Sequence, residues 1–170
     1  MLVVSDASPF VALVKIKLVD MLPKLYGSVV IPGEVAAELA DSSRPQEVRS
    51  FIASAPAWLN VREPKDIENI AGIDAGERAA ISLARELKAD ILLIDEVRGR
   101  EAAIARNIRT LRTTAMMLDA ANAGAIPDLK AAFDRLKATN FRVKPETLDG
   151  LLRQHEEFKK GAGEAPEAPG

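Results

Sequence analysis

Residues 73–96 read IDAGERAAISLARELKADILLIDE and contain the pattern that decides the fold. The apolar side chains of the first part recur at helical spacing, at Ala80, Ile81, Ala84 and Leu87. Asp74, followed three residues later by Glu77, predicts a capping box at the start of this helix. The run ILLID (91–95) then has no polar alternation, which indicates a strand buried on both faces of a parallel sheet.

The same succession of apolar runs and amphipathic segments occurs along most of the chain. Strands are predicted at 1–6, 28–32, 58–63, 91–95 and 108–113. Helices are predicted at 33–41, 44–55, 73–89, 96–107, 114–124, 127–138 and 145–158. Buried strands that alternate with helices predict an α/β protein, a three-layer α/β/α sandwich with a mostly parallel central sheet.

The length of 170 residues predicts a single domain over 1–158, because two halves would each bury too little surface. The last residues, 159–170, are rich in Gly, Ala, Pro and Glu, and we expect a disordered tail there. No run of eighteen apolar residues occurs, and the N-terminus lacks the pattern of a secretion signal. We therefore expect no membrane association and a cytoplasmic protein.

Composition excludes several kinds of chemistry. The chain has no cysteine, which removes disulfides, thiolate metal sites and cysteine nucleophiles. His155 is the only histidine and lies in a polar stretch, so we interpret it as a solvated surface residue rather than a catalytic base or metal ligand. The formal charge of −2 predicts that any site for nucleic acid is a local patch.

Carboxylates follow two of the predicted strands at the point where each ends. Asp6 closes VVSD and Asp95 closes ILLID, so the two side chains meet at one sheet edge if the strands are neighbours. Helical geometry places Glu38 on the flank of its buried face, whereas Glu34 points toward solvent. Glu77 opens the helix that precedes ILLID. The oxygen donors predict a site for a hard divalent cation, Mg²⁺ or Mn²⁺, and metal-assisted hydrolysis.

Each of these acids also has a structural interpretation. Asp6 and Asp95 can each cap the helix that follows its strand. Glu38 can form a surface ion pair, and Glu77 can act only within the capping box. These alternatives remain open on the sequence alone.

An arginine-rich stretch follows Asp95 directly. The segment VRGREAAIARNIRTLRT (97–113) carries five arginines against one acid. Its first two, Arg98 and Arg100, are candidates to hold a phosphate backbone beside the acidic site, although a solvated helix face explains such a run equally well.

From Asp6 to about residue 125, the chain resembles the PIN domain family, metal-dependent ribonucleases that include the VapC-type toxins of toxin-antitoxin pairs. The family's first two acids resemble Asp6 and Glu38. The third, usually an aspartate, corresponds to Glu77, and the fourth falls on Asp95. A little-characterised PIN-like subfamily is similar in its D-x-G-E pattern (74–77), its IDE followed by GR-x-x-A, and a threonine near position 114.

The resemblance implies an Mg²⁺- or Mn²⁺-dependent endoribonuclease whose four acids are both catalytic and metal-binding. It also implies an RNA substrate, a homodimer and an antitoxin protein as partner. Secondary candidates for the site are Asp74, Glu96 and Thr114. The alternatives are a PIN-like binding module without catalysis, and a DNA nuclease or phosphatase that uses the same acids.

Overall fold

The structure, a computed structural model, describes residues 1–163. The chain divides into two compact units, and the boundary lies between Thr113 and Thr114. The first unit contains the whole sheet, and the second contains helices in its described part. No helix within the described residues is long and apolar enough to cross a lipid bilayer.

Five parallel strands form the sheet of the first unit, in the spatial order β3-β2-β1-β4-β5. The strands are β1 (Val3–Ser5), β2 (Val29–Ile31), β3 (Leu59–Val61), β4 (Ile91–Leu93) and β5 (Thr110–Leu111). The three central strands are buried along their full length, as expected for strands covered on both faces. The predicted α/β/α fold is confirmed, and the sheet is parallel throughout.

Helices connect these strands. They are α1 (Ala7–Lys15), α2 (Met21–Tyr26), α3 (Gly33–Ala40), α4 (Gln46–Ala53), α5 (Ala75–Leu87) and α6 (Val97–Ile104). The long helix α5 packs on β1 and β4 and also contacts α3 and α6. It therefore lies where residues of its first turn can approach the carboxyl ends of the central strands.

Helix α2 was not predicted, and α1 was considered only as a helix near Pro9 that Asp6 could cap. Helix α1 begins directly after Asp6 and includes Pro9 in its first turn, where the missing N–H of proline costs no hydrogen bond. Helix α2 has only six residues, which is too short for a periodic pattern to stand out.

The second unit contains α7 (Thr113–Asn122), which begins at the boundary, α8 (Leu129–Lys137) and α9 (Pro145–Gly163). The interpretation of His155 as a solvated residue is wrong: its side chain is buried, and Nδ1 lies 2.7 Å from Oδ1 of Asn122. His155 lies seven residues after Leu148, and this helical spacing directs both to the buried face of α9.

The predicted disorder of 159–170 is also wrong for its first part. Helix α9 continues to Gly163, and a pair between Lys159 Nζ and Glu156 Oε1, at 3.0 Å, supports the extra turn. The remainder of the predicted tail lies outside the described residues.

Candidate functional site

The strands that end in Asp6 and Asp95 are neighbours, as the candidate site requires. Strand β1 pairs with β4 in the register Ser5 to Leu93, and the N–H of Asp6 donates to the carbonyl of Leu93 at 2.9 Å. This register brings Asp6 level with Ile94, one residue short of Asp95. Because successive side chains of a strand alternate in direction, a one-residue offset gives the two carboxylates different surroundings.

Asp6 occupies the N-cap position of α1, but its side chain accepts no capping hydrogen bond. The cap interpretation therefore does not explain this residue. Only 4% of its surface is exposed. This burial, together with repulsion from Glu38, Glu77 and Asp74, raises its pKa to about 8. A hydrogen bond from the Ala7 backbone opposes the rise. Asp6 is a buried carboxyl group that lacks a compensating cation in its immediate electrostatic surroundings.

Glu77 enters the site from the first turn of α5, where the predicted capping motif has formed. The N–H of Glu77 donates to Oδ1 of Asp74 at 2.8 Å, which fixes the start of the helix. Burial and the carboxylates of Asp74, Glu96 and Glu38 raise the pKa of Glu77 to about 7, against a lowering by the Asp74 backbone. Capping explains the position of Glu77, but not why its carboxyl group is 6% exposed among other acids.

Glu38 reaches the same region from α3. Its carboxylate lies against the start of α5, where a Cβ on Gly76 would overlap Oε1 of Glu38. Burial and the charge of Asp74 raise the pKa of Glu38, whereas Arg44 and the N–H of Gly76 lower it. The absence of a side chain at Gly76 is what admits this carboxylate.

Five carboxylates influence one another in this region: Asp6, Glu38, Asp74, Glu77 and Glu96. We call them the acidic cluster. They come from the end of β1, from α3, from the cap and first turn of α5, and from the residue before α6. Three of the four predicted acids, and both secondary acidic candidates, belong to it.

Asp95, the fourth predicted acid, has other partners. Its Oδ1 accepts the N–H of Thr113 at 2.8 Å and its Oδ2 accepts the Thr113 hydroxyl at 2.6 Å. Burial raises its pKa, while those hydrogen bonds and the nearby Arg112 and Arg100 lower it. Asp95 thus fixes the start of α7 and does not cap α6, whose N-cap residue is Glu96.

Two arginines of 97–113, Arg100 and Arg112, lie near Asp95. Arg100 is half-buried, and its Nε, like that of Arg112, is buried without a hydrogen-bond partner in the described part of the chain. Arg98 is exposed, and its Nη1 would lie 3.6 Å from a Cβ on Gly72, in the loop before α5. Thr114 is buried and belongs to the second unit, so Thr113 is the threonine that contacts a predicted acid.

Oxygen donors and the absence of cysteine suit a hard divalent cation, which would compensate the burial and the repulsion that raise these pKa values. Within residues 1–163, no three acidic or histidine side chains are already arranged to hold one metal ion. The donor set therefore fits Mg²⁺ or Mn²⁺ by its chemistry, and the carboxylates have to converge by side-chain rotation to bind it.

Sequence reasoning missed two residues near the cluster. Glu34, expected in solvent, is half-buried, and its Oε2 is buried without a hydrogen-bond partner among the described residues. Arg44 lies beside Glu38, with Nη2 at 3.9 Å from Oε2. The turn residues Asp41 and Ser43 before Arg44 were the available signal, but a turn alone does not show where the next side chain points.

The parallel sheet and its flanking helices define an α/β protein, with a candidate acidic site at the carboxyl ends of the central strands. A family model described as a PIN domain matches residues 2–157, and the chain belongs to this family. PIN domains are generally nucleases and typically use divalent metals.

A solved structure has a similar fold: a PilT N-terminus domain protein from the hyperthermophilic archaeon Sulfolobus solfataricus P2. The two chains share 16% identity with a TM-score of 0.55, over 71% of this chain and 93% of that one. A search of curated protein sequences finds no match.

Proposed function

We propose that this protein is an Mg²⁺- or Mn²⁺-dependent endoribonuclease whose metal ligands are Asp6, Glu38, Glu77 and Asp95. The observation that carries the proposal is the acidic cluster, in which burial and the neighbouring acids raise the pKa values of the buried Asp6 and Glu77 and of the half-buried Glu38, which come from three separate elements. Such an arrangement costs free energy of folding unless a cation compensates it, so function is the better explanation for its presence.

A divalent cation, when bound, stabilises negative charge on a phosphodiester and lowers the pKa of water. The chain's own residues have distinct parts in this scheme. Without a cation, the site favours the protonated forms of Asp6 and Glu77. Positive charge would favour their ionised forms, so both residues would lose a proton when a cation binds. Asp95 fixes the start of α7 through Thr113, and Arg98 and Arg100 bind the phosphate backbone.

Cleavage of total RNA, with Mg²⁺ or Mn²⁺ and with EDTA, tests the proposal. We expect cleavage that EDTA abolishes and that the Asp6→Asn protein lacks, which excludes a contaminating ribonuclease. RNA that stays intact under all conditions would leave the binding-module alternative, and cleavage of single-stranded DNA or a phosphomonoester in preference to RNA would favour the other hydrolases.

The family resemblance adds the proposal of a toxin in a toxin-antitoxin pair. The same resemblance adds the proposals that the protein forms a homodimer and that an antitoxin protein binds it. Sedimentation velocity tests the dimer, for which a monomer at all concentrations is the contrary result. Growth arrest on expression of the parent, but not of the Asp6→Asn protein, tests the toxin role.

A further inference from the structure

The loop after α3 holds the backbone of Arg44 in a fixed position. Oδ1 of Asp41 accepts the N–H of Ser43 at 2.8 Å and its hydroxyl at 2.6 Å, which closes a tight turn. The N–H of Arg44 donates to the Asp41 carbonyl at 3.0 Å, and the Arg44 carbonyl accepts from Nε of Arg49 at 3.1 Å. The base of the Arg44 side chain is therefore anchored on both sides.

The guanidinium of Arg44, in contrast, makes only weak contacts. Its Nε lies 3.4 Å from the Glu38 carbonyl and its Nη2 lies 3.9 Å from Oε2 of Glu38, which is beyond hydrogen-bond length. Arg106 is a contrasting arginine with short hydrogen bonds. Its Nη2 donates to Oε1 of Glu68 at 2.6 Å and its Nε donates to Oε2 at 2.9 Å. Within the part of the chain that the structure describes, Arg44 thus keeps most of its donors unused although its backbone is fixed.

Arg44 is one of the residues that line an open cavity of about 650 Å³. Glu38 and Asp74 of the acidic cluster line the same cavity, together with Glu34. A phosphodiester that approaches these carboxylates meets like charge, and a guanidinium at the wall offers it two parallel N–H donors. Because its contact with Glu38 is loose, Arg44 loses little when it exchanges that carboxylate for a phosphate.

We propose that Arg44 binds a phosphate of the nucleic-acid substrate, and that it is held beside Glu38 as a counter-ion until the substrate arrives. The inference rests on the proposed function and adds a phosphate-binding residue on the α3 side of the acidic cluster. Arg98 and Arg100 belong to α6, so the phosphate backbone would be held from two separate elements.

Fluorescence anisotropy with a labelled single-stranded RNA of about ten nucleotides, in EDTA so that the RNA stays intact, tests the inference. We expect Arg44→Ala to raise the Kd roughly tenfold and to reduce the slope of log K against log salt by about 0.7. Arg44→Lys keeps the charge but not the paired donors, so its Kd should lie between those of the parent and of Arg44→Ala. Arg142→Ala, an exposed residue of the second unit, is the control for loss of one positive charge and should match the parent.

The kinetics of cleavage separate a substrate contact from a structural role. Arg44→Ala should raise KM for RNA more than it lowers kcat, whereas mere disturbance of Glu38 would lower kcat. If the parent binds RNA and Arg44→Ala has the same Kd and the same salt slope as the parent, the proposed role of Arg44 is overturned. That result would leave the nuclease proposal standing. A parent that neither binds nor cleaves RNA would overturn both.

Discussion

The ends of β1 and β4 are adjacent in the sheet and both present an aspartate, yet the two carboxylates have opposite surroundings. Burial, together with repulsion from neighbouring acids, raises the pKa of Asp6 to about 8, and its side chain makes no capping hydrogen bond to the N2 or N3 position of α1. Burial also raises the pKa of Asp95, but two hydrogen bonds from Thr113 and the nearby Arg112 and Arg100 oppose that rise. The comparison teaches that two acids at neighbouring strand ends acquire different hydrogen-bond partners and different electrostatic surroundings according to what packs around each of them.

The sharpest test of this difference is Asp6→Asn. The variant replaces a proposed metal-binding carboxyl group, which accepts a hydrogen bond from the Ala7 backbone, with an amide of nearly the same shape, so cleavage of RNA should fall by roughly 100-fold or more, the scale on which a single electrostatic group acts. The Tm in EDTA should stay the same or rise, because repulsion within the acidic cluster is relieved. Differential scanning fluorimetry beside the cleavage assay measures both. Full cleavage by this variant would remove Asp6 from the site.

Asp95→Ala should have the opposite effect on stability. It leaves the N–H of Thr113 without its acceptor, which should lower the free energy of unfolding by about 1–3 kcal/mol. Asp95→Asn is the matched control, since its remaining carbonyl oxygen can still accept that N–H and should preserve most of the stability. Urea denaturation measures both variants, and unchanged stability in Asp95→Ala would show that the contact with Thr113 contributes nothing.

Gly76→Ala tests whether the shape of the acidic cluster matters apart from its charge. The added methyl would overlap Oε1 of Glu38 and should turn this flexible carboxylate aside rather than unfold the chain. We expect roughly a tenfold loss of cleavage, in the range reported for disturbed metal-site support, with little change in Tm. Gly150→Ala, in α9, is the control, because its only neighbour within 4 Å is Nη2 of Arg153 at 3.9 Å. Equal activity of both variants would argue against a role for the position of Glu38.

The last test is the pH dependence of stability in EDTA. The pKa values of Asp6 and Glu77, about 8 and about 7, lie above their ordinary values of 3.8 and 4.5. Between those limits the folded chain holds protons that the unfolded chain has released, so stability is greater at the lower pH and falls as pH rises toward 8.

Melting temperatures recorded from pH 6 to pH 8.5 measure this slope. Asp6→Asn should make it shallower, whereas Asp66→Asn, at an exposed position, should leave it unchanged. A flat profile in the parent would mean that these carboxyl groups are ionised without strain. Saturating Mn²⁺ should raise the Tm of the parent more than that of Asp6→Asn, because the cation binds the ionised folded state.

The elements of the sheet were predictable from the chain because each has a local cause. Apolar runs such as ILLID form central strands, and the pair of Asp74 and Glu77 begins α5 as its spacing predicted. Local patterns also misled: the polar neighbours of His155 suggested exposure, but helical spacing with Leu148 buries it. The turn at Asp41 and Ser43 was the one local signal for Arg44, but it did not show that the Arg44 side chain lies against the preceding helix.

The sequence by itself determined the α/β class, the parallel strands and the presence of acids at strand ends, since these follow from periodicity and the composition of short segments. Only the tertiary structure decided that β1 lies beside β4 in a register that brings Asp6 level with Ile94. It also decided that Asp6 joins Glu38 and Glu77 while Asp95 binds Thr113. Strand order and register are set by packing between residues far apart in the chain, and a carboxylate's pKa depends on those distant neighbours rather than on its own segment.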